Sequence, residues 1–396
     1  MLLTAAHVLA GADRHPLPDG AVLVREGTIA CVGPREEVQR LTRPDEPRLA
    51  FPAGTLLPGL IDAHVHLCFD GGTDPVVTLQ QQDDEALFTA MTSRARHLLS
   101  AGVTTARDLG DRGGLALRLA ASVTAGEVPG PRIISAGTPV TPPGGHCWFL
   151  GGEATGPDEV RRIVRRNIKA GAKVIKVMAT GGGLTKGGAD SWESQFTQDE
   201  LAALVDEAHR AGLPVAAHAH GTEGIAAAVE VGVDTIEHCT WMTPTGTDVR
   251  ADVLARIVEQ GIHVCPTVSP HWRMLPQIFG AERAEAMFGA VRQMADAGAR
   301  IIAGTDAGVQ RTGFDGLPSS LTFYEHLGLS RERVLAMATT EAARALGVGD
   351  ETGQITPGFS ADLLVVDGDP LADLGALKSV EAVVAAGRHF EMGGDA

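Results

Sequence analysis

Eight short apolar segments, each followed by a stretch with helical spacing, run from about residue 56 to residue 345. Repeated units of this kind build a parallel sheet, because each helix returns the chain to the edge where the next strand begins. Eight units predict an α/β fold, a closed (β/α)8 barrel whose active site lies at the C-terminal ends of its strands. The segments are Leu56 to His66, Val103 to Leu109, Arg132 to Ala136, Ala172 to Met178, Pro214 to His218, Asp234 to His238, His263 to Val268 and Arg300 to Thr305.

The two ends of the chain follow a different pattern. Residues Leu2 to Pro52 and Gln354 to Phe390 carry short alternating β patterns, broken by Gly, Pro and Asp. We expect them to pair into a small β-sandwich domain made of residues 1–55 and 353–396, beside a barrel of residues 56–352.

The charge and the hydropathy of the chain exclude two classes of partner. The formal net charge is -16, from 33 basic and 49 acidic residues, and no basic stripe offers a surface for nucleic acid. No segment reaches the roughly 18 to 20 apolar residues that span a bilayer, and the N-terminus lacks the features of a signal peptide. The five cysteines are widely spaced without a CxxC pair, which favours reduced thiols. We therefore expect a cytoplasmic protein that binds neither nucleic acid nor membrane.

Metal ligands are suggested at the ends of several predicted strands. His64 and His66 lie two residues apart in LIDAHVHL, so their side chains point to the same face of the first strand. Two imidazoles on one face form half of a metal site, although an HxH pair alone is a weak signal. His218, His238 and Asp306 end later strands, and barrel geometry brings strand ends around one point.

Lys176, in KVIKVMATGG, is unexpected at a metal site, because an ammonium ion repels a cation. Reaction with carbon dioxide would turn its amine into an anionic carbamate, whose two oxygens can bridge two divalent ions. The alternative is a lysine that pairs with a neighbouring carboxylate. Lys173, earlier on the same strand, is interpreted in that second way.

These motifs together resemble the amidohydrolase superfamily, a group of metal-dependent hydrolases built on a (β/α)8 barrel. The resemblance covers nearly the whole chain, and within the superfamily it is strongest to binuclear Xaa-Pro and other dipeptidases and to N-acyl amino acid hydrolases that cleave ochratoxin-like amides. The motifs are PGLIDAHVHL, the GGH before the fourth strand, IKVMATGG, HAHG, IEHCT, GTDAG and the closing GFSADLLVVDGDP.

The resemblance implies a site with two divalent metal ions. His64, His66 and Asp306 would bind one ion, His218 and His238 the other, and a carboxylated Lys176 would bridge them. Zinc is expected, and this mixture of ligands also accepts cobalt, manganese or iron. His220, two residues after His218, is an alternative fifth-strand ligand.

The metal chemistry suggests roles for the neighbouring side chains. Asp306 is placed to take a proton from the attacking hydroxide and to deliver it to the leaving nitrogen. His220 and His146 are the histidines expected to help stabilise the tetrahedral oxyanion or to contact the substrate. A substrate of this subgroup carries a free carboxylate, which Arg311 is expected to bind, with Lys186 and Arg273 as further cations at this face.

The predicted reaction is hydrolysis of the C–N amide bond of a small molecule, a dipeptide or an N-acyl amino acid. A cyclic amide hydrolase of the imidazolone or lactam type is the alternative. A deaminase is disfavoured, because its relatives resemble one another in a Glu three residues after the fifth-strand His, where this chain has Gly221. A non-catalytic scaffold is also disfavoured, because all six ligand positions are intact. Assembly into a homo-oligomer is left open.

Overall fold

A computed structural model describes residues 1–11 and 15–391. The predicted sandwich segments also include residues 12–14 and 392–396, which lie outside the described residues. The strands are β1 (Leu2–Val8), β2 (Leu17–Arg25), β3 (Thr28–Pro34), β4 (Arg48–Pro58), β5 (Leu60–Val65), β6 (Val103–Asp108), β7 (Arg132–Ser135), β8 (Ile175–Met178), β9 (Val215–Gly221), β10 (Thr235–Thr243), β11 (Gly246–Thr247), β12 (His263–Cys265), β13 (Arg300–Ile301), β14 (Leu363–Asp367), β15 (Val380–Ala385) and β16 (Arg388–Phe390). The helices are α1 (Arg35–Gln39), α2 (Pro75–Gln81), α3 (Asp84–Ser100), α4 (Leu115–Ala125), α5 (Gly156–Ala170), α6 (Gln198–Arg210), α7 (Thr222–Val231), α8 (Ala251–Gln260), α9 (Leu275–Phe279), α10 (Ala281–Asp296), α11 (Leu317–His326), α12 (Arg331–Met337) and α13 (Thr340–Ala345).

Eight of these strands form the barrel. β5, β6 and β7 pair in parallel, and β8, β9, β10, β12 and β13 form a second parallel set. Isolated bridges join the two sets, one between Val140 and Val177 and the other between Val65 and Ala307. At the second seam, the Ala63 amide donates to the Ala303 carbonyl at 3.0 Å. The predicted α/β barrel class is confirmed.

The last two barrel strands are shorter than the sequence predicts. The apolar segments extend to Val268 and Thr305, but the regular ladders end at Cys265 and Ile301. The first predicted segment is in fact two strands, β4 and β5, which are separated by Gly59, whose amide donates to the Asp362 carbonyl at 2.9 Å. The chain therefore passes from the terminal sheet into the barrel at this glycine.

The two ends of the chain pair as predicted. They form one seven-stranded sheet in the order β16, β15, β14, β4, β1, β2, β3. The sheet curls back on itself, since Ile29 of β3 exchanges backbone hydrogen bonds with Gly358 and Phe359, which precede β14. Its inner face buries an apolar cluster that includes Leu3, Val22 and Val365. The domain boundaries at residues 55 and 353 stay a prediction.

The helices carry clear local signals in the sequence. At the start of α6, Thr197 and Glu200 form a capping box, in which each side chain binds the other residue's backbone amide. Asp83 caps α3 by accepting from the Ala86 amide at 2.9 Å. No helix in the described part of the chain has the length and the apolarity needed to cross a membrane.

The seam between the first and the last barrel strand predicts a contrast between two glycines. A Cβ atom on Gly304 would lie 2.6 Å from Cys265 Sγ and 2.9 Å from His64 Cβ, so Gly304→Ala should lower the melting temperature. Gly289 lies inside α10, where an added Cβ would meet no atom within 4 Å beyond its chain neighbours and the adjacent backbone of its own helix. Gly289→Ala should therefore raise the free energy of unfolding by up to about 1 kcal/mol. Thermal unfolding checks both, and equal shifts would contradict the close approach at the seam.

Candidate active site

The predicted ligands meet at the C-terminal ends of the barrel strands. They come from β5, β8, β9 and β10 and from the loop after β13. A cavity of about 240 Å³ opens there, and His64 is buried beside it. The cavity is lined by the predicted residues His66, His146, Lys176, His218, His220, His238 and Asp306. The sequence prediction of one shared site is consistent with this placement.

Three of these residues direct acceptor atoms toward one another. His64 Nε2 lies 3.3 Å from His66 Nε2, and Asp306 Oδ1 lies 3.4 Å and 3.5 Å from these two nitrogens. The opposite nitrogen of each ring faces an acceptor: Glu237 Oε2 lies 2.8 Å from His64 Nδ1, and the Gly110 carbonyl lies 3.1 Å from His66 Nδ1. Both rings therefore carry their proton on Nδ1 and leave Nε2 bare. Three bare acceptors in contact fit a bound cation.

A second group consists of His218, His220 and His238. The ring centroids of His218 and His238 are 4.6 Å apart, and His220 stacks on His238 at 4.4 Å. His218 Nε2 donates to the Gly181 carbonyl at 3.0 Å, which leaves Nδ1 of that ring without a proton.

Threonine hydroxyls fix the protons of the other two rings in this group. Thr267 Oγ1 donates to the Pro266 carbonyl, so it accepts from His238 Nδ1 at 2.6 Å. Thr240 Oγ1 donates to the His220 carbonyl at 3.3 Å, so it accepts from His220 Nδ1 at 2.9 Å. Each of the three rings thus keeps one bare nitrogen, which is the form in which histidine binds a metal.

The surroundings keep all these histidines neutral. Burial, helped by the charge of Lys176, lowers the pKa of His66 and His220 to about 4. Burial also lowers the pKa of His64, His218 and His238 well below the ordinary value. A neutral imidazole is a ligand, whereas an imidazolium is not.

Lys176 lies at the floor of the cavity with no exposed surface. Within the described part of the chain, its Nζ has no hydrogen-bond partner. Burial lowers the pKa of the amine, and this favours the uncharged form that attacks carbon dioxide. A buried amine without a partner is costly, and conversion into a metal-bridging carbamate would remove that cost.

The predicted substrate-binding residues lie at different depths. His146 is buried in the cavity wall, with its ring centroid 4.6 Å from that of His218, and Gly182 packs against its ring. Arg311 is exposed at the rim, next to Gln310, which lines the cavity. The other two predicted cations have different contacts: Lys186 Nζ lies 3.1 Å from Asp74 Oδ2, and the Arg273 guanidinium stacks on Trp272 at 4.1 Å.

The sequence analysis missed a buried ion pair behind His64. Glu237 is completely buried, and its second oxygen lies 2.8 Å from Nη2 of Arg107, a residue of β6. The Arg107 guanidinium also donates to the Ala63 carbonyl at 2.7 Å and to Thr235 Oγ1 at 3.0 Å. An arginine within a predicted buried strand was the available signal, because an unpaired buried charge is rare.

A left-handed backbone conformation orients two of the site residues. His238 and Asp306 have φ angles of 68° and 61°, values that residues with a side chain seldom adopt. In a regular strand, Glu237 and His238 would face opposite sides. Here both reach the site, since Glu237 binds the His64 ring and the His238 ring lies 5.2 Å from that ring.

At the strand ends of this α/β barrel, histidines, an aspartate and a buried lysine come together. This combination of fold and site defines a metal-binding hydrolase. The chain belongs to the amidohydrolase family, whose model matches residues 55–389. The resemblance drawn from the sequence motifs is thereby confirmed, and the protein is a metal-dependent hydrolase.

Several relatives place the chain more closely. It is 29% identical to ochratoxinase of Aspergillus niger over 96% of this chain and 83% of that protein. The crystal structure of that ochratoxinase aligns with a TM-score of 0.85 at 26% identity, over 99% of this chain and 96% of the other. A Xaa-Pro dipeptidase crystallised with methionine in its active site gives 0.86 at 28% identity, over 99% of both chains. Imidazolonepropionase of Paracoccus denitrificans is 26% identical, over 89% of this chain and 88% of that protein.

The buried ion pair leads to a stability prediction. Arg107→Met would leave the Glu237 carboxylate buried without its cation, and the free energy of unfolding should fall by about 3 to 5 kcal/mol. Arg118→Met, which removes an exposed pair with Glu85, serves as the control and should change stability little. Denaturant unfolding of both variants measures the difference. Equal effects would show that the Arg107 pair does not stabilise the barrel.

Proposed function

We propose that the protein hydrolyses the C–N amide bond of a dipeptide or an N-acyl amino acid at a pair of divalent metal ions. The observation that carries this proposal is the set of bare nitrogen and oxygen acceptors at a cavity that Lys176, buried and without a described partner for its Nζ, also lines. The similarity to an ochratoxinase and to a Xaa-Pro dipeptidase supports an amide as the substrate.

The ligand assignment follows the two groups of acceptors. His64, His66 and Asp306 would hold one ion, His218 and His238 would hold the other, and a carbamate on Lys176 would be the ligand shared by both. We assign His218 rather than His220 as the fifth-strand ligand, because His218 is buried whereas His220 is half-buried at the mouth. The mixture of imidazole and oxygen ligands suits zinc, and it also suits cobalt, manganese or iron.

The ions and the residues around them would have separate roles in the reaction. The bound ions would lower the pKa of a water molecule and polarise the substrate carbonyl. Asp306 takes the proton of the water as its oxygen adds to the carbonyl carbon, and it passes that proton to the nitrogen as the C–N bond breaks. The products are a carboxylic acid and an amine. His220 and His146, which line the same cavity, are placed to contact the oxyanion or the substrate.

The free carboxylate of the substrate is the remaining element of this proposal. Arg311 is exposed at the rim, so it would have to turn inward past Gln310 to bind a carboxylate. His146 already lies in the cavity wall. The cytoplasmic location and assembly as a homo-oligomer stay predictions.

A cyclic amide hydrolase is the second candidate, and the similarity to imidazolonepropionase favours it. The fully buried Lys176 among the ligands argues for a site with two metal ions, in which the carbamate of Lys176 would bridge the ions. The two candidates differ in the number of metals and in the substrate, so one preparation can separate them.

The first experiment measures metal content and hydrolysis on protein expressed with added zinc and bicarbonate. We expect about two metals per chain, and release of free amino acids from a panel of dipeptides and N-acyl amino acids. About one metal, with cleavage confined to lactams and imidazolones, would support the second candidate instead.

Lys176→Ala is the matching variant in that experiment. It should lose one or both metals and nearly all hydrolysis, because the bridging ligand is gone. Lys173→Ala is the control: Lys173 is exposed on the approach to the same strand, and its loss should leave both metals bound. Full metal content in Lys176→Ala would contradict the carbamate.

Asp306→Asn tests the proton shuttle. The amide cannot accept and return a proton, so kcat should fall by about 10² to 10⁴-fold with little change in melting temperature. Metal content is measured on the same sample, because Asp306 is also a proposed ligand. An undiminished kcat would remove Asp306 from the shuttle role.

A further inference from the structure

A second cavity adjoins the active site on the far side of His238. Its volume is about 170 Å³, and we call it the side pocket. Its inner wall is formed by His238, Thr240 and Thr267, and its outer wall includes Leu275, Met287 and Phe323. His238 lines both cavities, so the two cavities share this residue in their walls.

The outer wall contains packed aromatic rings. Phe323 lies 5.1 Å from Phe288 and 5.6 Å from Trp272, measured between ring centroids, and all three side chains are buried. The indole nitrogen of Trp272 is tied to Thr322 Oγ1 at 3.2 Å. Rings held in this way form a wall before any ligand arrives, so a ligand would not have to order them.

The inner wall offers an incoming group little to bind by hydrogen bonds. The hydroxyl of Thr267 binds His238 and the Pro266 carbonyl, and that of Thr240 binds His220. Ser269 Oγ accepts from the His271 amide at 3.2 Å. Among the described residues that line the side pocket, none is an aspartate, a glutamate, a lysine or an arginine. An apolar group suits these walls, whereas a carboxylate or an ammonium ion does not.

The size of the side pocket limits the group that it can hold. An apolar cavity of about 150 Å³ accommodates benzene. A pocket of about 170 Å³ therefore has room for one phenyl ring or one branched aliphatic side chain. Exposed apolar side chains continue outward from Leu275, at Met274, Ile278 and Phe279, and extend this apolar surface.

We propose that the side pocket binds the apolar acyl substituent of the substrate, a branched aliphatic or aromatic group attached to the scissile carbonyl. This inference rests on the proposed amide hydrolysis. The acyl side is assigned from the order of the rings: His146 contacts His218, His218 contacts His238, and the side pocket lies beyond His238. With the carboxylate-bearing amine toward His146, the acyl substituent extends toward the side pocket.

The test compares N-acetyl, N-isovaleryl and N-phenylacetyl derivatives of one amino acid, using the metal-loaded enzyme. We expect kcat/KM to be at least about tenfold higher for the phenylacetyl and isovaleryl compounds than for the acetyl compound. Leu275→Trp fills the side pocket and should lower the ratio of phenylacetyl to acetyl kcat/KM by about tenfold. Leu275→Ala enlarges it and should shift the preference toward a naphthylacetyl compound. Val258→Trp, at an exposed position of α8, which contributes no residue to the side pocket, is the control and should keep the wild-type ratio.

Each result has a separate meaning. If the wild type cleaves all three compounds with equal kcat/KM, or if both Leu275 variants keep the wild-type ratio, the side pocket is not the acyl subsite. If N-acetyl derivatives of several different amino acids show that preference instead follows the side chain of the released amino acid, and Leu275 variants change that preference, the acyl assignment is overturned. If the wild type cleaves no member of the series, the proposed amide hydrolysis itself fails, and the inference fails with it.

Discussion

The structure depends on one constraint: acceptor atoms without protons face one another at the mouth of the barrel. Two imidazole nitrogens and a carboxylate oxygen lie 3.3 to 3.5 Å apart, an arrangement that repels itself without a cation. Each ring keeps its orientation because its other nitrogen is bound from behind. A carboxylate holds His64, backbone carbonyls hold His66 and His218, and threonine hydroxyls hold His220 and His238. The outer hydrogen bonds thus select the tautomers that a metal site needs.

Several features of the fold support this arrangement at an energetic cost. Glu237 can hold His64 only because Arg107 neutralises it inside the barrel. The left-handed backbone at His238 and Asp306 costs energy that the packing around it must offset. At the seam below Asp306, the Asp62 carboxylate binds the Thr305 hydroxyl at 2.6 Å and so ties the first strand to the last. The fold here loses some stability in order to fix the orientation of the site residues, which is typical of functional sites.

Features of the fold that repeat with a regular period along the sequence could be predicted. Alternation along the first predicted strand put His64 and His66 on one face, and their Nε2 atoms lie 3.3 Å apart. The barrel predicted from the count of βα units is confirmed. The break at Gly59 was not predicted, and the contact of its amide with the Asp362 carbonyl, far away in the sequence, has no local signal. The role of Glu237 was missed for a related reason: strand alternation directs it away from His238, and only the left-handed turn at His238 brings both to the site.

The charge of the site explains how an acidic protein could hold an anionic substrate without a surface cation. Two divalent ions would outweigh the two negative charges that Asp306 and a carbamate on Lys176 would contribute, while Arg107 and Glu237 cancel each other. The cavity would then be positive at its centre, although the whole chain has a formal charge of -16. Because the cavity walls have a low dielectric constant, that local charge acts more strongly on a bound carboxylate than the distant surface charges do. Arg311 at the exposed rim would then add selectivity to an attraction that the metal centre already provides.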